Sequence, residues 1–179
     1  MNKEYTEIDS LDDIGKEEIE SFKNKIKSQL TDIDYETYIQ QFGGPSGLLE
    51  GDGTITVSSP GANHVKVRII ISIKNLRANA VMLLLIQEVL GGTVRIERKA
   101  QYVTWIAISK NSIQSLIKVL EKYPLLTTRK QCQLEFAIKC IENNTRSFVV
   151  ENRDFMYENQ HNMLNYNDKN FVIPSYFAS

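Results

Sequence analysis

The chain has 179 residues, 42% of them hydrophobic and 24% charged, with a net charge of −1. That is enough for one domain with its own core. It excludes a disordered or strongly basic protein, and no run approaches the roughly 18 apolar residues of a membrane span. The charge is uneven: residues 1–40 carry a net −6 and residues 41–179 a net +5. The acidic part therefore reads as an extension, and the mildly basic remainder suits moderate, salt-sensitive nucleic-acid binding.

In the extension, Met1–Glu7 is acidic and lacks arginine, so it does not read as a mitochondrial transit peptide. Residues 15–30 are predicted as a helix, with Ile19, Phe22, Ile26 and Leu30 as its apolar stripe. That stripe predicts packing on the core; a partner-docking helix is the other reading. Gly43, Gly44 and Pro45 break the chain. Then comes Gly47-Leu48-Leu49-Glu50-Gly51-Asp52-Gly53, predicted as a short helix running into a strand. Gly47 and Gly51 are four apart, so they would share a helical face and let another backbone approach closely. Asp52 falls where the helix stops, with Gly53 as a left-handed cap. A carboxylate there opposes the helix dipole at a cost of about 0.3–1 kcal/mol, which suggests a cation held between two helices.

Residues 54–58 alternate polar and apolar, residues 59–63 form a turn, and residues 65–73 alternate again. Val65, Val67, Ile69, Ile71 and Ile73 take one face, and Lys66, Arg68, Ile70, Ser72 and Lys74 the other. A helix from about Arg77 to Leu90 is largely apolar, and a second hairpin spans residues 93–98 and 102–108, with Trp105 in the core. Asn111 is expected to cap the next helix, whose apolar stripe is Ile113, Leu116, Ile117 and Leu120. Thr127 or Thr128 starts the last core helix, with Leu134, Ile138 and Ile141 inward. Cys132 and Cys140 lie on that helix, too far apart for a disulfide, and are expected as buried thiols in a reducing compartment. His64 and His161 stand apart, so no zinc cluster is expected. Residues 146–179 read as a tail rich in Asn, Tyr and Phe.

Three of these segments resemble one family. Gly47–Gly53 resembles the second part of the motif of LAGLIDADG homing endonucleases and intron maturases. Ile86–Val94 resembles the family's helix, glycine turn and third strand. Tyr123-Pro124-Leu125-Leu126-Thr127-Thr128-Arg129-Lys130 resembles its "YPLLTxK" signature. They fall in the family's order, and the resemblance covers about residues 41–145. It implies an α+β fold of order α-β-β-α-β-β-α, with a four-stranded antiparallel, saddle-shaped sheet packed by helices. It also implies three parts: an acidic extension (1–40), a core domain (41–145) and a tail (146–179). Ile173–Phe177 resembles the linker before a second motif, and no second motif follows. A single-motif protein or one half of a split two-motif protein is expected.

By this resemblance, the protein is a site-specific double-strand DNA endonuclease. Asp52 is the ligand of Mg²⁺ and the Gly51 carbonyl assists. Gly47, Leu48 and Gly51 form the seam of a homodimer, or of a pairing with a second motif-bearing half. Glu50 is expected to stabilise the helix junction. Arg129 stands where the family has lysine, with Lys130 beside it. Asn75 or Lys74 takes the place of a polar, water-positioning residue that is more usually Gln. Pro45 and Ser46 replace the motif's leading Leu-Ala. DNA would lie across the sheet, read by Thr54, Thr56, Ser58, Lys66, Arg68, Ser72, Lys74 and Arg95. The resemblance also implies a mitochondrial, organelle-encoded protein. A second reading is an RNA binder without cleavage: an intron maturase, or a component recruited into an organellar ribonucleoprotein such as the mitochondrial ribosome.

Overall fold

The computed structural model describes residues 2–43 and 47–162. Two short 3₁₀ turns, Lys3–Tyr5 and Leu11–Asp13, precede α1 (Lys16–Gln29) and α2 (Tyr35–Gly43). Then follow α3 (Leu48–Asp52), β1 (Gly53–Gly61), β2 (His64–Lys74), α4 (Arg77–Leu90), β3 (Thr93–Glu97) and β4 (Tyr102–Ala107). Finally come α5 (Lys110–Lys122), α6 (Thr128–Asn143) and α7 (Arg146–Asn162). The strands form one antiparallel sheet in the order β1-β2-β4-β3. From α3 to α5 this is the α-β-β-α-β-β-α order expected from the sequence.

The period-two alternation divides the sheet into two faces. Ile55, Val67, Ile69, Ile71, Val94, Val103, Trp105 and Ala107 are buried on one of them. Trp105 is 1% exposed, and its indole N–H donates to the Gly91 carbonyl at 2.8 Å. The other face is largely uncovered. β1 and β3 are the sheet's edges, and α7 lies along β1, with Arg153 donating to the Val57 carbonyl at 3.3 Å.

α4 buries Ala80, Val81, Leu83, Leu85, Ile86 and Leu90, which between them go most of the way round the helix. A helix apolar all round must be covered on both sides. The sheet covers one side of α4, and α1 and α2 cover the other. The acidic extension is thus a layer of the fold. Ile8 and Ile14 join the main core, and Arg77 on α4 binds Glu18 through two contacts, 2.7 and 2.8 Å, and the Asp13 carbonyl at 2.6 Å. The Arg77 hydrogen bond holds the Glu18 carboxyl below its ordinary range.

Several local expectations change. Gly53 is extended, at φ −84° and ψ 153°, rather than left-handed, and leads straight into β1. Its glycine answers a close approach: an added Cβ would stand 2.3 Å from the Leu49 carbonyl oxygen. The cap of α5 is Ser109, whose hydroxyl accepts from the Ser112 N–H at 3.1 Å, and Asn111 lies inside the helix. On α6 the fully buried side is Cys132, Phe136, Ala137 and Cys140, with Leu134 and Ile141 at its margin. Burial raises both thiol pKa values, that of Cys140 to about 11. The stretch from 146 begins as α7, and its Val149 and Met156 pack with Phe136 and Cys140 in a second small core. The segment 173–177, Pro45 and Ser46 lie outside the described residues.

Candidate active site and nucleic-acid interface

The strand register decides which side chains share the open face. Thr54, Thr56 and Ser58 pair with Ile70, Arg68 and Lys66. Ile70, Ser72 and Lys74 pair with Ile106, Thr104 and Tyr102. Those three in turn pair with Thr93, Arg95 and Glu97. Paired residues of antiparallel strands point the same way. All eight residues expected to contact nucleic acid, Thr54, Thr56, Ser58, Lys66, Arg68, Ser72, Lys74 and Arg95, therefore lie on one face. Thr54, Thr56, Ser58, Arg68, Lys74 and Arg95 are exposed; Lys66 and Ser72 are partly covered. Ser72 and Thr104 share a hydrogen bond of 3.0 Å at the centre. Tyr102 and Thr104 belong to this face too; the alternation of residues 102–107 carries that signal in the sequence.

Asp52 lies at one end of this sheet, where β1 begins and β2 ends. α3 is five residues long, and Gly51 and Asp52 are both exposed at its C-terminal end. The Asp52 carboxylate accepts no hydrogen bond from the described residues. An added Cβ on Gly51 would meet nothing within 4 Å, so that side of the helix is open. Gly47 is different. It precedes the helix, at φ −130° and ψ −122°, and an added Cβ would stand 1.8 Å from the Phe42 carbonyl oxygen. Its missing side chain makes room for the chain's own backbone, so Gly47 and Gly51 are not the paired glycines of one helical face. Leu48 packs partly against the core.

Glu50 and Lys130 fasten this helix to the start of α6. Glu50 accepts from the Leu126 N–H at 2.9 Å, from the Thr127 N–H at 3.1 Å and from the Thr127 hydroxyl. The expected junction role is the one its contacts describe. The Lys130 ammonium donates to the Gly53 carbonyl. Burial lowers the Lys130 pKa; Arg129 lowers it further, while Glu50 and Asp52 oppose the shift. Lys130 is thus within the electrostatic reach of Asp52, while Arg129 is exposed on the first turn of α6. Replacing Glu50 by Ala should lower folding stability by about 1–3 kcal/mol, the scale of hydrogen bonds to a charged group. Denaturant unfolding measures this, and an unchanged midpoint would mean that water replaces the clamp at no cost.

Asn75 does not fit the water-positioning role expected for it. It is 0% exposed. Its amide donates to the Ile8 carbonyl at 2.8 Å and the Ala100 carbonyl at 2.7 Å. A side chain with both N–H groups committed inside the fold is not available to a solvent water. Lys74, next to it, is exposed at the same end of the sheet.

Among the described residues, no group of three or more His, Cys, Asp or Glu is placed to hold a metal. One chain offers one carboxylate and the neighbouring backbone carbonyl. Those are hard oxygen donors, and Mg²⁺ accepts one or two carboxylates together with phosphate and water. The donor set fits a divalent ion shared between two such helices. Among the described residues, no helix is long and apolar enough to cross a membrane.

The sequence matches the family model for LAGLIDADG endonuclease over residues 46–140. It is 36% identical over 157 residues to a probable intron-encoded endonuclease aI3 of Debaryomyces hansenii, covering 81% of this chain and 23% of that one. It is 34% identical over 116 residues to the corresponding protein of Dictyostelium citrinum, covering 63% of this chain and 48% of that one. The chain therefore spans less than a quarter of the first of these relatives and just under half of the second. Among solved structures it is similar to the homing endonuclease I-CvuI in complex with its target, at 20% identity and a TM-score of 0.49. That match covers 77% of this chain and 85% of that one.

Proposed function

The chain belongs to the LAGLIDADG endonuclease family, and from that premise we propose that it is a site-specific, double-strand DNA endonuclease that hydrolyses phosphodiesters. The observation that carries this reading is the register. It gathers eight polar or basic side chains on one uncovered sheet face, with exposed Asp52 at its end. Duplex DNA would lie across that face. Lys66, Arg68, Lys74 and Arg95 would meet phosphates, and Thr54, Thr56, Ser58 and Ser72 would meet base edges in the major groove.

One chain supplies one Asp52, so the proposed centre needs two α3 helices, from a homodimer or from a second motif-bearing half. Gly51, open on its Cβ side, would face the partner. Asp52 and the Gly51 carbonyl of each half would hold Mg²⁺. When bound, the ion supplies an activated water and stabilises the leaving oxygen of the phosphodiester. Lys130, half-buried beside Asp52, would offset charge that develops on the phosphate, where a desolvated cation is most effective. Exposed Arg129 would hold a neighbouring phosphate, a task for which its planar fork is well shaped. We place the protein in the mitochondrion, where intron-borne genes of AT-rich genomes would suit its richness in Asn, Ile and Lys.

The test is incubation of purified protein with duplex DNA from the region flanking its own gene. Double-strand cutting at one position is expected with Mg²⁺ and none with EDTA. No cutting of that DNA with Mg²⁺ would sink the endonuclease reading. A second reading, an RNA binder without cleavage, is favoured by the length of α3: five residues offer little surface for pairing two helices. It predicts one copy of the chain bound to structured RNA through the same face.

A further inference from the structure

β3 joins β4 through Arg98, Lys99, Ala100 and Gln101, and the first three have left-handed backbone, with φ of 54°, 53° and 62°. Residues with side chains are disfavoured there, and three in succession persist only where the surroundings hold them. The turn closes on itself through the Gln101 N–H, which donates to the Arg98 carbonyl at 3.2 Å, and Asn75 fastens it to the rest of the fold. The Asn75 backbone N–H donates to the Gln101 carbonyl at 2.9 Å, and its amide donates to the Ala100 carbonyl at 2.7 Å. The same amide donates to the Ile8 carbonyl at 2.8 Å, tying the turn to the N-terminal segment. That segment is itself fixed: Ile8 is 3% exposed, and the Arg77 N–H donates to the Thr6 carbonyl at 2.8 Å. The Asn75 side-chain oxygen, Oδ1, is buried without a hydrogen-bond partner among the described residues. The two amide donors are therefore what this residue contributes.

The turn lies at the Asp52 end of the sheet, because β3 runs toward that end and β4 runs away from it. Arg98 and Lys99 are exposed. The Arg98 guanidinium lies over the Tyr102 ring, 5.0 Å from its centroid. Tyr102 shares the open face with Lys74 and Glu97. The stacked guanidinium thus extends the basic row Lys66, Arg68, Lys74, Arg95 beyond the strands.

We propose that the N-terminal segment around Ile8 is a brace that acts through Asn75 to lock this turn, so that Arg98 and Lys99 meet nucleic-acid phosphates without first being ordered. The proposal rests on the reading of the open face as a duplex-binding surface. Asn75 is a positioning residue in it; Arg98 and Lys99 make the contact. Fixing the turn in advance removes an ordering cost from binding.

The experiment measures affinity of the full chain for a mixed-sequence DNA duplex across a salt series. The pair Arg98→Ala and Lys99→Ala should lower the slope of log affinity against log salt by about 2, about 0.9 for each lost phosphate contact. Ala100→Val opposes the left-handed turn, where a β-branched residue is a strong outlier, while keeping every charge; affinity should fall by about threefold or more in a chain that still unfolds cooperatively. Asn75→Ala should lower the slope although it removes no charge, which a role in folding alone would not do. Should Asn75→Ala fail to fold, Ala100→Val decides the matter. An unchanged slope in the Arg98/Lys99 variant, or wild-type affinity in Ala100→Val, overturns the brace. The pair Lys66→Ala and Arg68→Ala separates the two levels of failure. If it weakens binding and the turn variants do not, the brace alone falls. If the wild type binds no duplex, the duplex reading falls with it.

Discussion

Asp52→Asn should abolish Mg²⁺-dependent cleavage, with the rate falling on the order of 10³-fold or more, the scale on which loss of one electrostatic group at a transition state is felt. The fold should not suffer. Asp52 is exposed and accepts no hydrogen bond from the described residues, so its charge acts within the chain through Lys130 and not through a bonded contact. Its carboxylate faces the negative end of α3, and Asn removes that repulsion, so stability should hold or rise by up to about 1 kcal/mol. Thermal unfolding and a plasmid-cutting assay measure the two effects on one preparation. A variant that cuts as well as the wild type would remove Asp52 from the chemistry. Nucleic-acid affinity without metal should change little, since the side chains on the sheet face are untouched. A chain that binds RNA equally well before and after the substitution, and cuts nothing in either form, is the outcome expected of the non-cleaving reading.

Gly51→Leu should separate folding from pairing. An added Cβ at Gly51 meets none of the described residues within 4 Å, so the new side chain starts without a clash in one chain. Replacing Gly inside a helix should even favour α3 by roughly 0.8 kcal/mol. Between two motif helices the same side chain would hold the backbones apart. Sedimentation should find wild-type protein at about twice the 20.5 kDa of one chain and the variant at one chain's mass. Cleavage should fall by about 10²-fold or more, because small misplacements of reacting groups cost that much. A dimeric, fully active variant would place the seam elsewhere. Gly47 is not a useful control: a side chain there would strike the Phe42 carbonyl and disturb the fold itself.

The face of the sheet was legible residue by residue. Side chains in a strand alternate, and one buried face locks the register, so Lys66 and Arg68 had to share a side with Ser72 and Lys74. Arg95 joins them only because β3 pairs with β4 and β4 with β2, which no local pattern states. The apolar circumference of α4 was also visible, and it required a second covering layer; the stripe of α1 had predicted its packing on the core, but that α2 and the segment around Ile8 and Ile14 complete this layer was not visible. The surface helix α1 has ordinary amphipathic spacing, and Ile8 and Ile14 lie outside any repeat. Asn75 misled for a related reason. An Asn between a strand and a helix reads as a polar surface residue, and its burial depends on Ile8 and Ala100, 67 and 25 residues away.

The residue pattern by itself determined the order of elements from α3 to α6, the family, the two faces of the sheet and the place of Asp52 at a helix end. Each of these follows from short-range periodicity or a contiguous motif. Tertiary structure alone decided the rest. It decided that Glu50 grips Leu126 and Thr127, 76 and 77 residues on. It set Lys130 on the Gly53 carbonyl, made Gly47 a packing requirement while Gly51 stays open, and fixed the basic turn through Asn75 to the N-terminal segment. Apart from Gly47 and Phe42, which are neighbours in sequence, those contacts join distant parts of the chain, so their existence depends on closing long loops around a shared core, and no window of sequence contains both partners.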